Sequence, residues 1–128
     1  MSPRPLAVVA PSRWWAGFAV IVAIAGLGSG IAYGPGLPDA FGRHQIDKLL
    51  HFLLAGLLAF FLDGALGRRA LRIGAWGVPL AALLVVVPTG IEEYLQRFST
   101  ERTSSVWDFA ADVAGVALFV PLSRRAAK

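Results

Sequence analysis

The sequence predicts an all-α membrane protein, a single domain of four transmembrane helices with both termini on the cytoplasmic side. Three observations carry this expectation. Of 128 residues, 56% are hydrophobic and 16% charged, with a mean hydropathy of +0.64, where average soluble domains have about 45–50% and about 25%. The apolar residues fall into four runs, each close to the roughly 20 residues that cross a bilayer core. The basic residues stand beside these runs rather than in a patch of their own. A soluble domain of this size would leave much of the apolar excess facing water. A β-barrel is excluded, because the runs are continuous rather than alternating with period two and the chain is short for eight tilted strands. With no cysteine, disulfides, thiolate metal sites and a cysteine nucleophile are excluded as well.

Helix one is expected over 14–33, since residues 14–38 contain no charged side chain. Gly26 and Gly30 form a GxxxG suited to close packing on another helix. A rival reading is a secretory signal peptide, with Arg4 and Arg13 as its basic start and Ala23-Ile24-Ala25 as the cleavage motif; the apolar run continues past that point. Helix two is expected over 46–66. Its stretch free of Asp and Lys covers only 49–62, too short to span unless the first turn is included, so Asp47, Lys48 and His51 enter the membrane region.

Helix three is expected over 73–98, uncharged as far as Ile91 and then carrying Glu92, Glu93 and Gln96. Pro88 and Gly90 weaken its hydrogen-bond ladder and allow this end to bend. Helix four, over 106–122, is long enough only with Asp108 and Asp112 inside it, and Ala110, Ala111, Ala114 and Gly115 give it a small-residue face. The turns fall at 34–38 (Gly34-Pro35-Gly36 and Pro38), 68–72 and 99–105.

Four crossings place Arg4, Arg13, Arg68, Arg69, Arg72, Arg124, Arg125 and Lys128 on one side, with Asp63 as that side's acid. The other side holds Arg43, Lys48, Arg97 and Arg102 against Asp39, Asp47, Glu92, Glu93, Glu101, Asp108 and Asp112. Eight bases opposite four, all in short loops, orient the first side to the cytoplasm. The expected location is the inner membrane. The bases are dispersed and juxtamembrane, so nucleic acid is not an expected partner.

The start of helix two, the end of helix three and the start of helix four then share the outer, periplasmic face. At about 100° per residue, Asp47, Lys48 and His51 share one arc, Glu92 or Glu93 shares one with Gln96, and Asp108 and Asp112 lie one turn apart. Simple structural roles exist for some of these residues. Ser105 and Asp108 form the S-x-x-D pattern of a capping box, Asp47 complements a helix dipole, and Lys48 and Arg102 have the character of snorkelling residues. Glu92 and Glu93 lack such a role, because acids at a helix C-terminus oppose the macrodipole by about 0.3–1 kcal/mol each.

Taken together, Asp47-Lys48-x-x-His51-Phe52, Glu92-Glu93-x-x-Gln96, Arg102 six residues on, and Asp108-x-x-x-Asp112-x-x-Gly115 resemble the VanZ-like family. The similarity covers residues 46–120; helix one matches only as a hydrophobic span. Family members often have Asn at the position of Asp112 and Pro-Gly where this chain has Thr100-Glu101. The resemblance implies a small multi-helix membrane protein of a family named for a member associated with teicoplanin (glycopeptide) resistance. It also implies a functional set of Asp47, Lys48, His51, Glu93, Gln96, Arg102, Asp108 and Asp112.

The expected function is recognition or processing of a polar group on an envelope lipid or lipid-linked cell-wall precursor. Lys48 and Arg102 would contact phosphate, and Glu93 or Asp108, with His51, would exchange a proton. The excess of carboxylates calls for a divalent cation, with His51, Glu93, Asp108 and Asp112 as candidate ligands and Mg²⁺, Ca²⁺ or Mn²⁺ favoured by oxygen donors. The alternative is a non-catalytic ion-pair network that locks the bundle and presents a surface to an envelope partner. An ion or proton carrier is disfavoured, because the cytoplasmic half lacks a relay.

Overall fold

The structure, a computed structural model, describes residues 12–33, 44–98 and 106–126. Among them are α1 (Ser12–Tyr33), α2 (His44–Ala65), a hairpin of β1 (Ala70–Ile73) and β2 (Trp76–Pro79), α3 (Leu80–Gln96) and α4 (Val106–Ala126). Two helical segments, Ile46–Ala65 and Val106–Ala126, are long and apolar enough to cross a membrane. The expected helices one, two and four are present within a few residues of their predicted bounds.

Helix three is corrected. It begins at Leu80 rather than at residue 73, and the segment expected to be a turn followed by helix is an antiparallel hairpin. The physical reason lies in residues 74–79. Gly74 adopts φ +62° at the first central position of a two-residue turn, the position a type II′ turn gives to glycine. Gly77 has low helix propensity, and Pro79, at φ −56° and ψ 127°, stands outside the helix it precedes. What remains is 17 residues, about 25 Å of helix, short of a bilayer core.

α2 ends as its sequence dictates. Gly67, at φ +66°, and Arg68, at φ +59°, both turn into the left-handed region. The amides of Gly67 and Arg68 bond back to the carbonyls of Gly64 (3.1 Å) and Asp63 (2.8 Å), the two bonds of a Schellman motif.

α2 is the central element. α4 runs parallel to it, with His51 meeting Asp112 at one end and Asp63 meeting Arg124 at the other, both pairs 61 residues apart. The backbones touch at Gly115, where a Cβ would strike the Phe52 carbonyl and lie 3.1 Å from the Gly56 nitrogen. Phe119 covers Gly56 and meets Phe52 edge-on, their centroids 5.9 Å apart. Beside this contact the core is Ala55, Ala59 and Leu62 of α2, Ala81 and Val85 of α3, and Val116 and Val120 of α4. The α4 face that packs is therefore Asp112, Gly115, Val116, Val120 and Ser123. Of the small residues expected there, Gly115 is buried while Ala110 and Ala114 are exposed.

α1 meets α2 near its own N-terminal end, and Gly30 of the expected GxxxG lies outside the residues whose surroundings are described. Among the described residues, nothing comes within 4 Å of a Cβ placed at Gly26, whereas Gly17 receives the Phe61 ring and Gly64 receives Trp14. Trp14, Phe60 and Phe61 form an aromatic cluster with centroids 5.2–6.1 Å apart.

Candidate functional site

The parallel pairing of α2 and α4 brings two helix N-termini side by side. Asp47 and Asp108 stand in the first turns of these helices, where carboxylates meet the positive ends of the macrodipoles. One turn further in, His51 and Asp112 face each other across the interface. The result is a polar group on two helices, with helical periodicity placing 47, 48 and 51 on one side and 108 and 112 on the other.

His51 Nδ1 lies 3.0 Å from Asp112 Oδ1. An Nδ1–H donating to that carboxylate leaves the Nε2 lone pair free for a ligand, and Nε2 lies 3.9 Å from Asp47 Oδ1. Lys48 Nζ is 3.7 Å from Asp108 Oδ1, too long for a hydrogen bond. Asp108 Oδ1 is buried and has no hydrogen-bond partner among the described residues.

One ligand atom from each of Asp47, His51 and Asp108 lies within 4.8 Å of the others, so this group could hold a metal ion. Asp112 has the place of the carboxylate that commonly orients a metal-bound histidine through its other ring nitrogen. The expected ligand set was His51, Glu93, Asp108 and Asp112. In the structure Asp47 joins His51 and Asp108, Asp112 sits behind the imidazole, and Glu93 lies outside the group of three.

The C-terminal end of α3 reaches the same end of the bundle. A Cβ at Gly90 would lie 3.1 Å from the Phe109 ring. Gln96 donates from Nε2 to Glu92 Oε1 at 3.2 Å. Pro88, Ile91, Glu92, Leu95 and Gln96 line an open groove on α3. The C-terminal part of α3 thus packs beside the first turn of α4, while the Lys48–Asp108 and His51–Asp112 contacts at this end join α2 and α4. Arg102 and the capping residue Ser105 lie outside the described residues.

A second polar group, unforeseen from the sequence, lies at the other end of the same helix pair. Asp63 is fully buried, and Arg124 Nη2 donates to its Oδ1 at 3.2 Å. Arg124 also reaches the Arg68 carbonyl (3.3 Å), while Arg68 Nε donates to the Ser123 carbonyl (3.0 Å) and its guanidinium lies 5.0 Å from the Trp14 ring centre. The available signal was Asp63 itself, an acid in the last turn of an apolar helix, which needs a cation from a neighbour.

Comparison with family models, curated proteins and solved structures finds no match for this chain.

Proposed function

We propose that the protein is a four-span inner-membrane protein whose outward end binds a divalent cation at Asp47, His51 and Asp108, and through it a phosphate-bearing headgroup. The headgroup class is an envelope lipid or lipid-linked cell-wall precursor, with Lys48 as the direct phosphate contact. The observation that carries this reading is the Oδ1 atom of Asp108, buried with no hydrogen-bond partner among the described residues, in a group where one ligand atom from each of Asp47, His51 and Asp108 lies within 4.8 Å of the others. Two carboxylate oxygens and one imidazole nitrogen suit Mn²⁺ or Zn²⁺ better than Ca²⁺ or Mg²⁺. A bound cation would also draw the Asp108 charge away from Lys48, freeing the ammonium for phosphate.

Membrane insertion is supported by exposure. In the apolar windows of α2 and α4 only 39% and 28% is buried inside the protein, so most of this apolar surface requires a lipid cover. On this reading α1 supplies a third crossing and the 17-residue α3 a shorter fourth. The resemblance to the VanZ-like family rests on the motif residues and agrees with an envelope role linked to glycopeptide susceptibility.

The test is Mn²⁺ titration of chelator-stripped protein in detergent, read by electron paramagnetic resonance. About one equivalent should bind saturably, and His51→Ala or Asp108→Asn should abolish binding while leaving the protein folded. Absence of saturable binding, or unchanged binding in both variants, refutes the proposal.

A second reading has its own support, since the Lys48–Asp108 and His51–Asp112 contacts both bridge α2 and α4. If they serve only as an interhelical lock, Asp108→Asn should lower the unfolding midpoint, and metal should bind to neither form.

A further inference from the structure

The hairpin is amphipathic, and its apolar face is left uncovered by the described residues. Directly paired residues of an antiparallel hairpin project to the same face. The register pairs Leu71 with Val78 and Ile73 with Trp76, so these four share one face, while Arg72, paired with Gly77, falls on the other. Leu71, Ile73 and Trp76 remain 47%, 56% and 78% exposed. An isolated two-stranded hairpin is marginal in water, and this one displays its apolar face.

Its surroundings are basic. Residues 64–80 contain Arg68, Arg69 and Arg72 and no acid, and the α4 terminus adds Arg124 and Arg125. The acid at this end, Asp63, is buried and held by Arg124. Arg69, Arg72 and Arg125 are exposed. An apolar face with a tryptophan, next to exposed arginines that have no acidic partner among the described residues, at the ends of two apolar helices, matches the chemistry of an anionic lipid interface.

We propose that the hairpin docks on the anionic surface of the leaflet at this end of the bundle. Leu71, Ile73, Trp76 and Val78 enter the boundary between headgroups and acyl chains, and Arg69, Arg72 and Arg125 meet the phosphates. This rests on the reading of α2 and α4 as membrane spans. It makes the connection between α2 and α3 a lipid-binding element that responds to the charge of the leaflet.

The chain lacks cysteine, so single nitroxide labels can be placed without background. Ile73→Cys and Arg72→Cys report the two hairpin faces, and Leu118→Cys, exposed on α4, reports the span. The protein is reconstituted in phosphatidylcholine bilayers with and without phosphatidylglycerol, and each label is probed with oxygen and with a water-soluble nickel chelate. The label at 73 should favour oxygen and sink deeper with phosphatidylglycerol, while that at 72 favours nickel. Arg69→Gln or Arg125→Gln should each lower the immersed-to-free ratio about fivefold. A label at 118 in hydrocarbon with 72 and 73 both in water overturns the hairpin proposal alone; a label at 118 in water overturns the spanning reading and the hairpin with it. Immersion at 73 that ignores phosphatidylglycerol, or spin–spin broadening between two 73 labels that reveals a second copy on this face, also overturns it.

Discussion

Substitution of Gly115 by alanine should be among the most damaging single-methyl changes available to this chain. The added carbon would run into main-chain atoms of the neighbouring helix, the Phe52 carbonyl group and the Gly56 nitrogen 3.1 Å away. No side-chain rotation relieves such a contact. α2 and α4 must move apart by about 1 Å, and gaps of that size forfeit a quarter to a half of each affected dispersion contact. The layers on either side, Phe52 with Phe119 and Ala59 with Val116 and Val120, open together. Overpacking of this kind costs about 1–3 kcal/mol; with main chain on the receiving side the upper half applies, a fall in the unfolding midpoint on the order of 10 °C. The assay is thermal unfolding in detergent alongside Gly26→Ala, a site where nothing described lies within 4 Å and where alanine should be neutral or stabilise by up to about 1 kcal/mol. Because His51–Asp112 lies one turn from Gly115, Mn²⁺ binding should weaken with it. A Gly115→Ala protein within about 0.5 kcal/mol of the parent would show that the two backbones are not in contact and would refute the packing.

Other expectations follow from the same geometry. Asp112→Ala should weaken Mn²⁺ binding about 10- to 100-fold by releasing His51, whereas Asp112→Asn, whose amide oxygen still accepts from Nδ1–H, should retain most of it; titration calorimetry separates the two. Arg124→Leu should destabilise by about 3–5 kcal/mol, because it leaves the fully buried Asp63 carboxylate without its cation, and Asp63→Asn in the same protein should recover part of the loss in a denaturant series. Metal binding should fall as the pH drops from about 8 to about 5, since a proton on His51 removes the lone pair that the ion requires, and Mn²⁺ titrations at several pH values read this directly. Gly17→Ala should cost less than Gly115→Ala, because the atoms it meets belong to the rotatable Phe61 ring.

Much of the site could be read from periodicity. Asp47, Lys48 and His51 on one arc, and Asp108 and Asp112 on another, are consequences of 3.6 residues per turn, and an even number of chain reversals between α2 and α4 places their first turns together. The hairpin was hidden by its hydrophobicity. Residues 73–79 are uncharged like the first turns of the helix that follows, and Gly74, Gly77 and Pro79 distinguish them, each a helix breaker whose effect adds to the next. In α1 the close approach among the described residues occurs at Gly17, opposite Phe61 on the facing helix, a position that no glycine spacing marks. The Asp63–Arg124 pair depends on the register of α2 against α4, a tertiary quantity that no local pattern encodes. Once His51 is matched with Asp112, the same 61-residue offset points to it.

That shared offset has a mechanical meaning. α2 and α4 are pinned near both extremities, by an imidazole and a carboxylate at one and by a guanidinium and a carboxylate at the other, with touching glycine backbone between them. A slide or twist of one rod against the other would unfasten both pins simultaneously, so the pair behaves as a stiff chassis. α3 packs on this pair and carries the break in its own ladder. Pro88 removes a ladder bond near its middle, just before the turns that carry Glu92, Glu93 and Gln96.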